Sequence, residues 1–119
     1  MDVEIDASLP KLKKHGRLHA LLPRARCVMH LHPKFVIALA GINDSTMYPI
    51  DQNTMRFYDR VAMDEAFSGM ALANEEGERL AAVLGDKSIL MMCNHGVLVT
   101  APSIALAFDE MYYFERAAE

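Results

Sequence analysis

Residues 27–33 read CVMHLHP, and the surrounding sequence is organised around this stretch. The apolar residues that follow Pro23 predict a short buried strand, on which side chains point alternately to the two faces. His30 and His32 therefore project from the same face. Pro33 has no backbone N–H and commonly ends a strand, so the two imidazoles are predicted to lie at a strand end.

A second histidine-bearing stretch lies far downstream. Residues 89–93 read ILMMC, a continuous apolar run that predicts a buried strand, and residues 97–99 predict another. The triplet Asn94-His95-Gly96 between them is predicted to form a turn, which places His95 at a second strand end. Three neutral imidazoles that converge on one point are the ligands of many catalytic zinc sites, where a fourth position stays open for water or substrate.

Two interpretations of His30, His32 and His95 remain open: a shared metal site, or three ordinary core and surface histidines. A lone histidine is more often of the second kind. A His-x-His pair on a buried strand is harder to explain without a shared partner, because burying two polar rings is costly. Cys27 and Cys93 are predicted to be buried core thiols in strands. Strand alternation argues against Cys27 as a further ligand but does not exclude Cys93; three imidazoles already complete the usual ligand set.

Several motifs, in this order and spacing, resemble those of the class II aldolase/adducin domain family. They are PRARCVMHLHP at residues 23–33, AMDE at 62–65, NHG at 94–96 and AFDEMYYFERA at 107–117. The resemblance runs from about His15 to the last residue and is greatest to bacterial, adducin-like members. It implies an α/β fold, a three-layer α/β/α sandwich with a mainly antiparallel central sheet.

The resemblance also implies a metal site and a chemistry. In the family, the histidines of His-x-His and Asn-His-Gly hold a divalent metal, usually zinc, which assigns that role to His30, His32 and His95. Its lyases and epimerases act on small hydroxy-carbonyl substrates such as sugar phosphates, and the metal, as a Lewis acid, stabilises an enediolate. Adducins keep the fold without this chemistry, so a non-catalytic interaction or metal-binding module is the alternative.

The acid/base residue is not identified by the resemblance. The family's carboxylate position falls on Lys11, which cannot act as the same base while protonated. Within the chain, the catalytic candidates are Asp64, Glu65 and Tyr113. Adjacent carboxylates alternate faces on a strand, so at most one of the two acids can face a metal, and turn acids in solvent are the simpler interpretation. The chain alone is therefore expected to be a poor catalyst.

Composition bounds the remaining possibilities. The chain has 119 residues, 52% of them hydrophobic, and a net charge of −4, which favours one domain and gives no electrostatic case for nucleic acid. Residues 1–10 are predicted to be a disordered tail, and residues 11–119 a family domain that lacks its N-terminal part. No apolar run has the length of a membrane span, and the acidic N-terminus is unlike a signal peptide. A cytoplasmic protein is expected, and the resemblance implies a homo-oligomer, a tetramer.

Helix signals complete the expected order of elements. Helices are predicted over residues 12–22, 34–40, 53–58 and 74–84, with Asn74 as the N-cap of the last of these. The final helix is predicted to be capped by Thr100 and to carry Pro102 in its first turn. Its apolar stripe is predicted to consist of Ile104, Phe108, Met111 and Tyr112.

Overall fold

The structure is a computed structural model that describes residues 18–65 and 73–119. Its centre is a four-stranded sheet of β1 (Cys27–Leu31), β2 (Val61–Asp64), β3 (Ile89–Met92) and β4 (Gly96–Ala101). The strands lie in the order β1-β4-β3-β2. β4 pairs antiparallel with β1 and with β3, and β2 pairs parallel with β3. The predicted mainly antiparallel sheet is therefore confirmed.

The helices follow the predicted order. They are α1 (Lys34–Ala40), α2 (Gln52–Met55), α3 (Ala73–Leu84) and α4 (Ile104–Ala118), and a helical segment over residues 18–21 precedes β1. Asn74 already lies inside the described part of α3, so it does not precede the helix as an N-cap and that prediction is wrong. The predicted tail, the start of the first helix, Lys11 and His15 lie outside the described residues.

Alternation along the strands gives the sheet two apolar faces. One face packs against α1 and α4, and its buried strand residues are Ile89, Met91, Val97, Val99 and Ala101. The other face packs against α3 and the segment that begins at Leu18, and its buried strand residues are Leu90, Met92 and Leu98. Helices cover both faces, so the predicted three-layer α/β/α sandwich is confirmed.

The start of α4 differs from the prediction. Thr100 lies inside β4, where its hydroxyl donates a hydrogen bond to the Ser88 carbonyl over 3.0 Å. Ser103 caps the helix instead, and its hydroxyl accepts from the Leu106 N–H at 3.2 Å. Pro102 therefore precedes the cap and is not in the first turn. The β4 ladder extends further than expected and includes the predicted cap.

The buried face of α4 also differs from the prediction. Its buried residues are Ala107, Met111 and Phe114, whereas three of the four residues predicted for the stripe are exposed: Ile104, Phe108 and Tyr112. Ala107 is fully buried and small, so the helix can approach the sheet closely at this position. The predicted and observed stripes share only Met111, so the prediction chose the wrong face of the helix and missed both Ala107 and Phe114.

No helix within residues 18–65 or 73–119 is both long enough and apolar enough to cross a membrane.

The strand directions bring several chain segments to one edge of the sheet. β1, β2 and β3 run in the same direction, and β4 runs against them. The carboxyl ends of the first three strands therefore meet the start of β4 at this edge. His32 follows β1, Asp64 ends β2, and residues 93–95 connect β3 to β4.

Candidate metal centre

The structure brings together the three histidines that the sequence singled out. His30, His32 and His95 can each offer one ligating atom so that all three atoms lie within 4.8 Å of one another. The Nε2 atoms of His30 and His32 are 3.1 Å apart. Zinc–nitrogen bonds of about 2.0–2.1 Å in a tetrahedral site separate the ligand nitrogens by about 3.4 Å. The cluster therefore approaches the size that a single zinc ion requires, and metal binding itself stays a prediction.

A hydrogen bond orients the His30 ring. Its Nδ1 lies 2.9 Å from the carbonyl oxygen of Val97. A carbonyl oxygen can only accept, so Nδ1 carries the proton and Nε2 of the neutral ring presents a lone pair. Histidines that bind metals usually donate their other ring N–H to such an acceptor, which selects the tautomer and the ring orientation. His30 thus fits the role of a metal ligand.

The His32 ring lies against the backbone of Gly96. A Cβ at Gly96 would be 2.6 Å from Cδ2 of His32 and 2.7 Å from the carbonyl oxygen of Leu31. Both separations are well below van der Waals contact. Glycine is required here because the imidazole occupies the space that a side chain would need. The backbone conformation is not the reason, since the φ angle of Gly96 is not positive. The sequence pattern included this residue in Asn-His-Gly without revealing the reason for it.

His95 lies in the tight turn that connects β3 to β4. Its N–H donates to the Met92 carbonyl at 3.0 Å, and Asn94 has a φ of 59°. Positive φ at the third position of a four-residue turn favours glycine or asparagine, which explains the asparagine of the motif. The Cys93 N–H donates to the Asp64 carbonyl at 2.9 Å, so the end of β2 also holds this turn.

The two cysteines lie in different settings. Cys27 is half-buried in β1, and burial raises the pKa of its thiol. Cys93 is also half-buried. It was predicted to lie in the strand, but it lies in the turn after β3. Its Sγ is 3.8 Å from the Ser45 hydroxyl.

The first acid candidate, Asp64, forms an ion pair with α3. Its side chain is 5% exposed, and its two oxygens each accept from the Arg79 guanidinium at 2.8 Å. The same guanidinium binds Glu76. The hydrogen bonds that Arg79 donates to Glu76 and Asp64 raise its pKa, so it stays positively charged. Sequence analysis missed this pair because its members are separated by 15 positions.

The other two acid/base candidates lie at the end of β2 and on α4. Glu65 follows β2 and is exposed. Tyr113 lies on α4, where the Arg56 guanidinium carbon is 4.6 Å from the centre of its ring. The ring also makes an edge contact with Tyr112 at 5.2 Å. The role of either residue in catalysis stays a prediction.

The fold and the site define a class of protein: a three-layer domain with a His-x-His pair at the end of one strand and an Asn-His-Gly turn between two others. The chain belongs to the family described as Class II Aldolase and Adducin N-terminal domain, whose sequence model matches residues 3–119. The family expected from the motifs is thereby confirmed.

Two comparisons identify similar proteins at more than 30% identity. A protein of Caulobacter vibrioides named for aldolase class 2 is 34% identical over 103 residues, which cover 87% of this chain and 39% of the relative. The crystal structure of an aldolase II superfamily protein from Pseudomonas syringae superposes with a TM-score of 0.84 at 32% identity, over 99% of this chain and 46% of that one. The chain thus spans less than half the length of these relatives.

A more distant similarity concerns the fold alone. An L-fuculose 1-phosphate aldolase from Glaciozyma antarctica PI12 superposes with a TM-score of 0.78 at 19% identity. The alignment covers 99% of this chain and 45% of that protein.

We expect Gly96→Ala to destabilise the protein because the added Cβ would overlap the His32 ring and the Leu31 carbonyl. Overpacking of this kind typically lowers the free energy of unfolding by about 1–3 kcal/mol. Gly41→Ala is the matched control, since a Cβ there would meet its nearest atom at 3.5 Å, an ordinary contact. Urea denaturation should separate the two variants. Equal stability of both would show that His32 does not occupy this space.

Proposed function

We propose that His30, His32 and His95 bind one divalent metal ion, zinc by preference, and that the chain supplies this centre to an aldolase-type lyase or epimerase reaction. The observation that carries the proposal is the convergence of three imidazoles within 4.8 Å at one sheet edge. Imidazole ligands suit zinc and other late transition metals better than magnesium or calcium, which prefer oxygen. Members of the family are generally metal-dependent, which supports the same assignment.

The chain's own residues define how such a centre would act. The Val97 carbonyl orients His30, the bare backbone of Gly96 accommodates His32, and the turn after β3 carries His95. Neutral imidazoles add no negative charge, so the loaded site keeps a net positive charge that favours anionic or oxygen-rich ligands. His32 and His95 are exposed, which leaves the cluster open to solvent.

A bound zinc ion would supply Lewis-acid polarisation of a carbonyl oxygen. We therefore propose a small hydroxy-carbonyl compound, such as a sugar phosphate, as the substrate class. Proton transfer would have to come from a side chain or from water, and a positioned group typically contributes about 10²- to 10⁴-fold to the rate. Asp64, Glu65 and Tyr113 remain the candidates within the described residues.

The alternative is a domain that binds metal or a protein partner without turnover, as in the adducin branch of the family. The engagement of the Asp64 carboxylate by Arg79 favours it, because that acid already has a structural role. We also propose self-association, up to the tetramer that the resemblance implies. The exposed apolar residues of α4 support this, namely Ile104, Phe108 and Tyr112.

Zinc reconstitution near neutral pH, followed by metal analysis, tests the proposal. We expect about one zinc per chain, because the three imidazoles form one site. Because the chain alone is expected to be a poor catalyst, incubation of the zinc form with hydroxy-carbonyl sugar phosphates should release a carbonyl product only slowly. Zinc binding without product would favour the non-catalytic alternative. A protein that binds no zinc under these conditions would contradict the metal site itself.

A further inference from the structure

The Glu115 carboxylate binds the start of a helix that is distant in sequence. Its Oε1 accepts from the Phe35 N–H at 2.8 Å and its Oε2 from the Val36 N–H at 2.9 Å. These amides belong to the first turn of α1, where N–H groups have no partner within the helix. The N-cap residue, Pro33, forms no side-chain cap. A side chain of α4 therefore supplies the cap that the local sequence lacks.

The helix held in this way connects the two segments that carry the histidines. α1 begins directly after His32 and Pro33. At its other end, the carbonyl of Ala40 accepts a hydrogen bond from the Asn94 N–H at 2.8 Å, next to His95. Val36 and Ala40 are buried against the sheet. A shift of α1 would therefore move His32 relative to His95.

We propose that Glu115 is a positioning residue of the metal centre. It holds α1 in place, and α1 in turn fixes the position of His32 relative to His95. This inference rests on the proposed metal site. A carboxylate that accepts two backbone N–H groups makes charge-assisted hydrogen bonds, which are stronger than neutral ones. Its negative charge at a helix N-terminus is also favourable. Loss of the carboxylate should let α1 and both histidines depart from the arrangement that a metal needs.

Cobalt(II) provides the probe, because its affinity and its visible absorption both report the ligand geometry. We expect Glu115→Gln to weaken cobalt binding by about 10- to 100-fold, the range typical for partners that orient metal ligands. Glutamine preserves the shape of the side chain but loses the charge and replaces one acceptor oxygen by an NH₂ group. Glu119→Gln is the matched control on the same segment, since the Glu119 side chain is exposed and contacts Arg116 at the surface at 3.3 Å.

Two further measurements separate positioning from general destabilisation. Leu84→Val removes volume from the core on the opposite face of the sheet, and it should lower stability without changing cobalt affinity. Amide hydrogen exchange of Asn94 should accelerate in Glu115→Gln, because the Ala40 carbonyl that binds this amide is less firmly held. Suppose that the wild type binds cobalt but Glu115→Gln shows unchanged cobalt affinity or unchanged Asn94 exchange. This result would overturn the role of Glu115 and leave the metal site standing. A wild type that binds no cobalt would overturn the metal site as well.

Discussion

His32→Ala should bind zinc more than about 100-fold more weakly than the wild type. Loss of a residue that merely orients a ligand typically costs about 10- to 100-fold in metal affinity, so loss of one of three ligands should cost more. Little folding stability should be lost, because the His32 side chain is exposed. Zinc content after dialysis and the dissociation constant from a competition titration measure the effect.

His19→Ala is the matched control for this experiment. His19 lies in the helical segment before β1, and its Nδ1 contacts the Ala25 carbonyl at 2.6 Å. It is not part of the three-histidine cluster. This variant should keep about one zinc per chain, as expected for an intact set of three imidazoles. Equal zinc content in His19→Ala and His32→Ala would contradict the proposed ligand set.

Arg79→Met should lower the free energy of unfolding by at most about 3–5 kcal/mol, the usual cost of removing one partner from a buried ion pair, because the Arg79 side chain is itself 29% exposed. Asp64 is 5% exposed and Glu76 is 6% exposed, so both carboxylates lie where an uncompensated charge is costly. Methionine retains much of the apolar bulk of arginine, which restricts the change mainly to the charge and its hydrogen bonds. Urea denaturation followed by circular dichroism measures the loss.

The matched control for the ion pair is Arg116→Met. Arg116 forms its contact with Glu119 at the surface, where its side chain is 56% exposed. Exposed ion pairs contribute about 0–1 kcal/mol, so this variant should unfold nearly as the wild type does. If Arg79→Met proved as stable as the wild type, the Arg79–Asp64 ion pair would not stabilise the fold. Asp64 would then become the leading candidate for the acid/base residue.

The histidine cluster shows how far a local pattern can predict a site. Alternation on β1 requires His30 and His32 to share a face, and the Asn-His-Gly turn requires His95 to lie at a strand end. Both requirements follow from backbone geometry within a few residues. The meeting of the two strand ends at one edge came from the family resemblance, and the β1–β4 and β3–β4 pairings account for it.

The roles of Asp64, Gly96 and Glu115 could not be predicted in the same way. The partner of Asp64 is on α3, and the Gly96 backbone faces the His32 ring. Glu115 caps a helix by accepting from the N–H of Phe35, 80 positions earlier. The buried face of α4 likewise depends on which side chains the sheet can accept, and there Ala107 and Phe114 pack instead of the predicted Ile104, Phe108 and Tyr112.

The sequence by itself therefore determined the elements, the fold family and the three candidate ligands, because these depend on periodicity, turn chemistry and motif order along the chain. Only the tertiary structure decided which polar groups bind each other and which glycine makes room for an imidazole. Those contacts join residues far apart in sequence, and they form only when packed layers remove the groups from water, where each buried donor and acceptor needs a partner.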